Sequence, residues 1–169
     1  MTAAEILQTY ADSINRYATE YGLDPNEIAS VIQTESSGNP SAYAAEPKLN
    51  DASYGLMQLL GTTARNLGYT GDLNGLYDPD TNIHYGAMLW AQLKAQYGDD
   101  PAALYSAYNS GSATAYQTNS QVASNVQRFL NSLSSLASSV GQAISDNPES
   151  SIGVLLAAVA LLLLMRGKA

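Results

Sequence analysis

The sequence predicts a mainly α fold with a short β-hairpin or extended loop region, followed by a C-terminal amphipathic helix and a transmembrane helix. Three observations carry that prediction. Apolar residues recur at intervals of three and four in Glu5–Tyr21, in Leu23–Gly38 and over 121–144. Asp-Pro pairs at Asp24-Pro25, Asp78-Pro79 and Asp100-Pro101 each join a good N-cap to the residue best tolerated at the first helical position. Ile152–Met165, by contrast, is apolar on every face.

The elements follow in order. Ile6, Leu7, Tyr10, Ile14 and Tyr17 share a face, so Glu5–Tyr21 reads as one helix closed by Gly22. The next helix begins at Asp24-Pro25, with Glu27 placed to complete a capping box, and stops at Gly38 and Pro40. Residues 39–56 are too irregular for a helix and are assigned to the hairpin or extended loop. Asp78-Pro79 opens a helix that runs to Tyr97 and Gly98, and Asp100-Pro101 opens another carrying Leu104 to Asn109.

Charge divides the chain. Residues 1–110 hold 13 acids and 4 bases, whereas 111–145 carry a single charge, Arg128, among Ser, Ala, Asn and Gln. Three parts are expected: a globular domain over 1–111, a polar helical stalk over 112–150, and an anchor over 151–169. In the stalk, Val122, Val126, Phe129, Leu130, Leu133, Leu136, Val140 and Ile144 form an apolar stripe that packs on the domain or on a second copy. The apolar run of 14 residues rises about 21 Å, short of a ~30 Å hydrocarbon core. Flanking serines, with Arg166 and Lys168 snorkelling, extend it enough to anchor in a lipid membrane through residues 151–166. The start, MTAAEIL, has no basic region or long apolar stretch, so no secretory signal is visible.

Composition excludes several functions. The net charge of -8 and a pI near 4.3 oppose nucleic acid as a partner, because counterion release needs a basic face. Without cysteine there is no disulfide, thiolate nucleophile or thiolate metal site. The lone His84 has no cluster around it, and in Asp72–Asp80 Gly75 is misplaced for a calcium loop, so no metal or cofactor is expected. The 12 tyrosines suit either a half-wet groove or a small Tyr-rich core.

One residue is out of place. The stripe Ile28, Val31, Ile32 continues to position 35, which is Glu. A carboxylate on an apolar face, in the last turn where carbonyls rather than amides are presented, is pushed toward its protonated form. Such a group suits the general acid of glycosidic cleavage. The alternative is that Glu35 turns to solvent at the helix end.

Four clusters bear on that choice: Glu35-Ser36-Ser37-Gly38-Asn39-Pro40, Ser53-Tyr54-Gly55-Leu56-Met57-Gln58, Leu76–Ile83 with Gly86, and Ala107-Tyr108-Asn109-Ser110-Gly111. Their order and spacing over residues 10–111 resemble the soluble lytic transglycosylase family, which shares a lysozyme-like fold with goose-type lysozymes. The resemblance implies that Glu35 is catalytic. It implies that Ser53, Gly55, Met57, Gln58, Tyr108 and Asn109 bind substrate, with the Tyr108 hydroxyl orienting Glu35. Asp78, Pro79, Asn82 and Ile83 match a segment read as structural. Ser37-Gly38 departs from the large apolar residue the family often carries there.

The activity so implied is cleavage of the MurNAc–GlcNAc bond of peptidoglycan by one carboxyl group, leaving a 1,6-anhydromuramic acid end. Glu46 and Asp51 lie in the loop facing the helix end, and a second carboxylate there would permit hydrolysis as in goose-type lysozyme. A non-catalytic glycan-binding membrane protein is a further alternative. A short domain with a tail anchor and no visible leader fits a bacteriophage or bacterial protein held in a virion internal membrane or an inner membrane, acting on the periplasmic wall. Self-association through 122–144 is the other partner expected.

Overall fold

The helix starts fall where the Asp-Pro pairs place them. In a computed structural model that describes residues 1–146 (side chains of 140, 143 and 144 apart), α3 spans Pro25–Ser36, α5 Pro79–Tyr97 and α6 Pro101–Ser110. Asp24, Asp78 and Asp100 cap them, accepting from the backbone N–H of Asn26, Thr81 and Ala102. The predicted anchor at 151–169 lies outside the described residues. Among those residues, no helix is long and apolar enough to cross a membrane.

Two local expectations are corrected. The first helical segment breaks at Tyr10 (φ -113°, ψ 27°) into α1, Ala3–Thr9, and α2, Ala11–Tyr21. The break lets α1 fold onto α3 with Ile6 wholly buried, while the Tyr10 hydroxyl donates to the Gly38 carbonyl at 3.2 Å. Glycine suits position 38 because its φ of 79° lies in the left-handed region, and a Cβ there would also press on Ile6 Cγ1 at 3.2 Å. Glu27, in turn, does not close a capping box. It points inward, accepting from Trp90 Nε1 at 3.0 Å and pairing with Lys94 at 3.3 Å.

The irregular stretch is an antiparallel sheet in the order β1 (Tyr43–Glu46), β2 (Asp51–Tyr54), β3 (Leu59–Leu60). Its pairing sets Ala44 opposite Ser53 and Glu46 opposite Asp51. Alternation then turns Ala44, Glu46 and Ser53 to one face and Tyr43, Ala45 and Tyr54 to the other. A short helix α4, Gly61–Asn66, follows. Leu59, Ala64 and Leu76 form a small core beneath the sheet, with Tyr54, Leu73 and Leu89 against it.

The last helix, α7, spans Ser120–Asp146, matching the predicted amphipathic segment. The first compact unit runs over Met1–Leu133, beyond the compositional boundary at Gly111. The reason is apolar burial. Val122, Val126 and Phe129 are buried, and Phe129 stacks on Tyr105 with centroids 4.7 Å apart and planes 10° from parallel. Trp90 closes the same aromatic cluster, 5.5 Å from Phe129 and 5.7 Å from Tyr108. A helix whose polar face is uncharged looks like a stalk in composition, yet its opposite face holds core residues. The second unit, from Ser134, contains the remaining turns of α7.

Candidate active site

Glu35 occupies the last turn of α3, which ends as Ser37 enters the left-handed region (φ 54°). Its stripe neighbours Ile28, Val31 and Ile32 are completely buried, so helical periodicity carries the carboxyl to the edge of the core. There it lines a groove of about 310 Å³ together with Ala44, Glu46, Ser53, Gln58, Thr63, Tyr108 and Asn109. Helix, sheet and α6 each supply one wall.

Burial pushes the Glu35 carboxyl up to about 7. The Tyr105 hydroxyl, donating to Oε1 at 2.6 Å, and the positive charge of Arg128 act in the opposite direction and are outweighed. Both protonated and ionised forms are therefore populated near neutral pH. A group poised this way can donate a proton in one step and accept one in the next.

The tyrosine in contact with Glu35 is not the one expected. Tyr108 donates to the Met57 carbonyl at 2.7 Å, and Tyr105, one turn earlier on α6, reaches Glu35. The two rings stack 6.4 Å apart, and their hydroxyls reach different partners, Glu35 and the Met57 carbonyl. Their separation of three residues on one helix was the available signal.

The Gly55–Gln58 turn is divided similarly. Ser53 and Gln58 line the groove, whereas Met57 is fully buried beneath it and Gly55 serves the backbone. A Cβ on Gly86 would strike Met57 Sδ, so this glycine makes room for the thioether against α5. Gly55 has φ 72°, and a Cβ on it would meet Asn82 Nδ2 at 2.5 Å and the Leu76 carbonyl. Asn82, completely buried, is the latch for the turn. Its Oδ1 accepts from Met57 N–H, and its Nδ2 donates to the Tyr54 and Leu76 carbonyls, each at 2.8 Å. Gln58 takes a left-handed conformation (φ 46°), held by its Nε2 donating to the Gly55 carbonyl.

The two candidate second carboxylates separate. Asp51 lies outside the groove and accepts from Ala52 N–H, Thr62 N–H and Thr62 Oγ1 at 2.6–2.9 Å, capping α4 from another element. Burial works against its ionisation, but these bonds hold its carboxyl below the usual range. Glu46 lines the groove with Glu35. His84 stacks on Tyr17, 4.7 Å away, and among the described residues no three of His, Asp and Glu gather around a possible metal.

Comparison with known proteins fits this geometry. The sequence profile of the Transglycosylase SLT domain matches residues 12–130. A transglycosylase of Enterobacteria phage PRD1 is 41% identical over 100 residues, covering 59% of this chain and 34% of that protein. Membrane-bound lytic murein transglycosylase C of Haemophilus influenzae (strain PittEE) is 38% identical over 117 residues, 60% of this chain and 31% of that protein. The chain thus spans about a third of the length of these relatives. An inactive mutant of lytic transglycosylase Slt from Pseudomonas aeruginosa superposes with a TM-score of 0.62 at 21% identity, over 73% of this chain and 23% of that one. The 70 kDa soluble lytic transglycosylase of Escherichia coli gives 0.57 at 23%, over 73% and 21%. These two share the fold. With its profile match running from α2 into α7 and enclosing the whole groove, the chain belongs to the Transglycosylase SLT domain family.

Proposed function

We propose that this protein is a peptidoglycan lytic transglycosylase in which Glu35 is the one catalytic carboxyl group. The observation that carries the proposal is a carboxyl pushed up to about 7 by burial at the edge of a groove. Protonated Glu35 gives its proton to the glycosidic oxygen as the bond from muramic C1 breaks, releasing the GlcNAc 4-hydroxyl. The resulting carboxylate takes the proton of the muramic 6-hydroxyl while O6 bonds to C1. The products are a 1,6-anhydro end and a free chain end, and Glu35 is again protonated. No water is consumed and no second carboxylate is needed. Ser53, Gln58, Tyr108 and Asn109 act as groove contacts, with Gly55 and Met57 supporting the turn from below.

Glu46 supports one second reading. A carboxylate in the same groove is placed to activate water, which would make the enzyme a hydrolytic muramidase. Mass spectrometry of muropeptides released by the full chain distinguishes them. Anhydro ends, absent with Glu35→Gln, are expected. Reducing ends that disappear with Glu46→Gln would replace the transglycosylase by the muramidase, and a folded chain that binds but releases nothing would leave a glycan-binding protein.

The reading extends to a tether through residues 151–166 and a role in local wall opening by a phage. The unbroken apolar run supports the first, and similarity to the phage PRD1 transglycosylase the second. Self-association through 122–144 would use the apolar positions of that stretch other than Val122, Val126, Phe129 and Leu136, which are buried within their own chain.

A further inference from the structure

We propose that Asn125, held by Arg128 and Gln121, orients the Asn109 amide so that its NH2 is offered as a donor to an acceptor oxygen of the glycan in the groove. The inference rests on the reading of that groove as a glycan site and adds three positioning residues from α7 to it.

An amide side chain has an accepting end and a donating end, and which one faces the groove decides what it recognises. Asn109, at the C-terminal end of α6, lines the groove, and its Oδ1 accepts from Asn125 Nδ2 at 3.2 Å. Asn125 is held from its other side. Arg128 Nη2 donates to Asn125 Oδ1 at 2.8 Å, and Gln121 Nε2 donates to the same oxygen at 3.2 Å.

The polarity of this chain follows from its first member. A guanidinium has donors and no acceptor, so the atom facing Arg128 must be the Asn125 oxygen. The Asn125 NH2 then faces Asn109, which must answer with its oxygen, and the Asn109 NH2 is left for the groove. Arg128 is the only charged residue between Gly111 and Ser145, and at this point on α7 it sets the polarity of two amides. The acceptor it selects for is a neutral oxygen such as an acetamido carbonyl or a sugar hydroxyl.

Asn125→Asp tests this on the full chain with isolated peptidoglycan. The shape and the bonds from Arg128 and Gln121 are retained, but nothing is left to donate to Asn109. That amide must turn its NH2 to Asp and its oxygen to the groove, opposing the glycan acceptor. The expected result is a fall in kcat/KM of about tenfold or more, carried by KM. In an Asn109→Ala background the same change has less than about a twofold effect, since the donor is already gone. A folded Asn125→Asp chain with unchanged KM, or one that loses as much in both backgrounds, overturns the proposal. Should Asn125→Asp not fold, Arg128→Met on the exposed α7 surface is the substitute. Its loss must again require Asn109 and be restored by Arg128→Lys.

A titration separates failure of this inference from failure of the catalytic reading. The Asn109 NH2 signals in a 1H–15N spectrum, identified by their loss in Asn109→Ala, are followed in the Glu35→Gln chain as a tetramer of N-acetylglucosamine is added. Movement of those signals, abolished by Asn125→Asp, supports the orientation even if no cleavage is ever seen. Binding that leaves them unmoved overturns it.

Discussion

Tyr105 and Glu35 are 70 residues apart in sequence and 2.6 Å apart at the base of the groove, with the phenol donating to Oε1. The ring that delivers this hydroxyl is nearly parallel to Phe129 and almost completely buried. An aromatic stack therefore holds the phenol in place, and the phenol in turn fixes the carboxyl. Because the bond favours the ionised carboxylate while burial favours the acid, Tyr105 tempers the rise in Glu35 as well as aiming it.

Tyr105→Phe keeps the ring stack and removes only that bond. The loss of about 1 kcal/mol in stability is expected to be small against the effect on catalysis. Glu35 rises further, so the alkaline limb of kcat/KM moves to higher pH while kcat falls through poorer orientation. A pH–rate profile on peptidoglycan checks both, and an unmoved limb would mean the bond does not govern Glu35.

The unmodified chain should lose kcat/KM as pH rises through about 7, the value to which burial pushes Glu35. Stability carries the same signature. A carboxyl raised in the folded state retains its proton there when the unfolded chain has lost it. Stability is then greatest below about 4.5 and declines as pH rises toward 7, by about 3 kcal/mol at most. Glu35→Gln keeps an acceptor for Tyr105 and removes that decline. Urea unfolding should show it more stable than the unmodified chain at pH 8 and no more stable at pH 4.

Asn82→Leu is close in size but leaves Met57 N–H and the Tyr54 and Leu76 carbonyls without their partner in a buried site. A loss of about 3 kcal/mol or more is expected in urea unfolding. The turn that carries Gln58 should loosen, raising KM even under conditions where the protein stays folded.

The acidic residues of the loop should behave oppositely. Asp51→Ala removes a cap with three donors on it, at a cost of about 1–2 kcal/mol in stability, and leaves turnover of the folded protein close to normal. Glu46→Gln should leave unfolding unchanged and, for a transglycosylase, still yield anhydro ends. Paired unfolding curves and product spectra check the contrast.

Much of this molecule is dictated locally. Asp24-Pro25, Asp78-Pro79 and Asp100-Pro101 start their helices because a cap needs only a side chain and the amides two or three residues on. Glu35 could be located at the edge of the core because the apolar stripe of α3 keeps a 3.6-residue period, and the hairpin because residues 39–56 keep none. The tertiary structure decided what lies beyond that reach. Which of two tyrosines one turn apart meets Glu35 is decided by the fold, which sends the Tyr105 hydroxyl to Glu35 and the Tyr108 hydroxyl to the Met57 carbonyl. Whether Met57 lines or underlies the groove depends on the space left by Gly86 of α5. Glu46 and Asp51 look alike in sequence and are paired across the strands, yet Glu46 lines the groove while Asp51 is taken up by the Thr62 amide and hydroxyl at the start of α4. Likewise α7, uncharged enough to read as a stalk, joins the first unit because Phe129 finds Tyr105 and Trp90. In each case the deciding contact links residues more than ten positions apart, and local propensity carries no information about such a pairing.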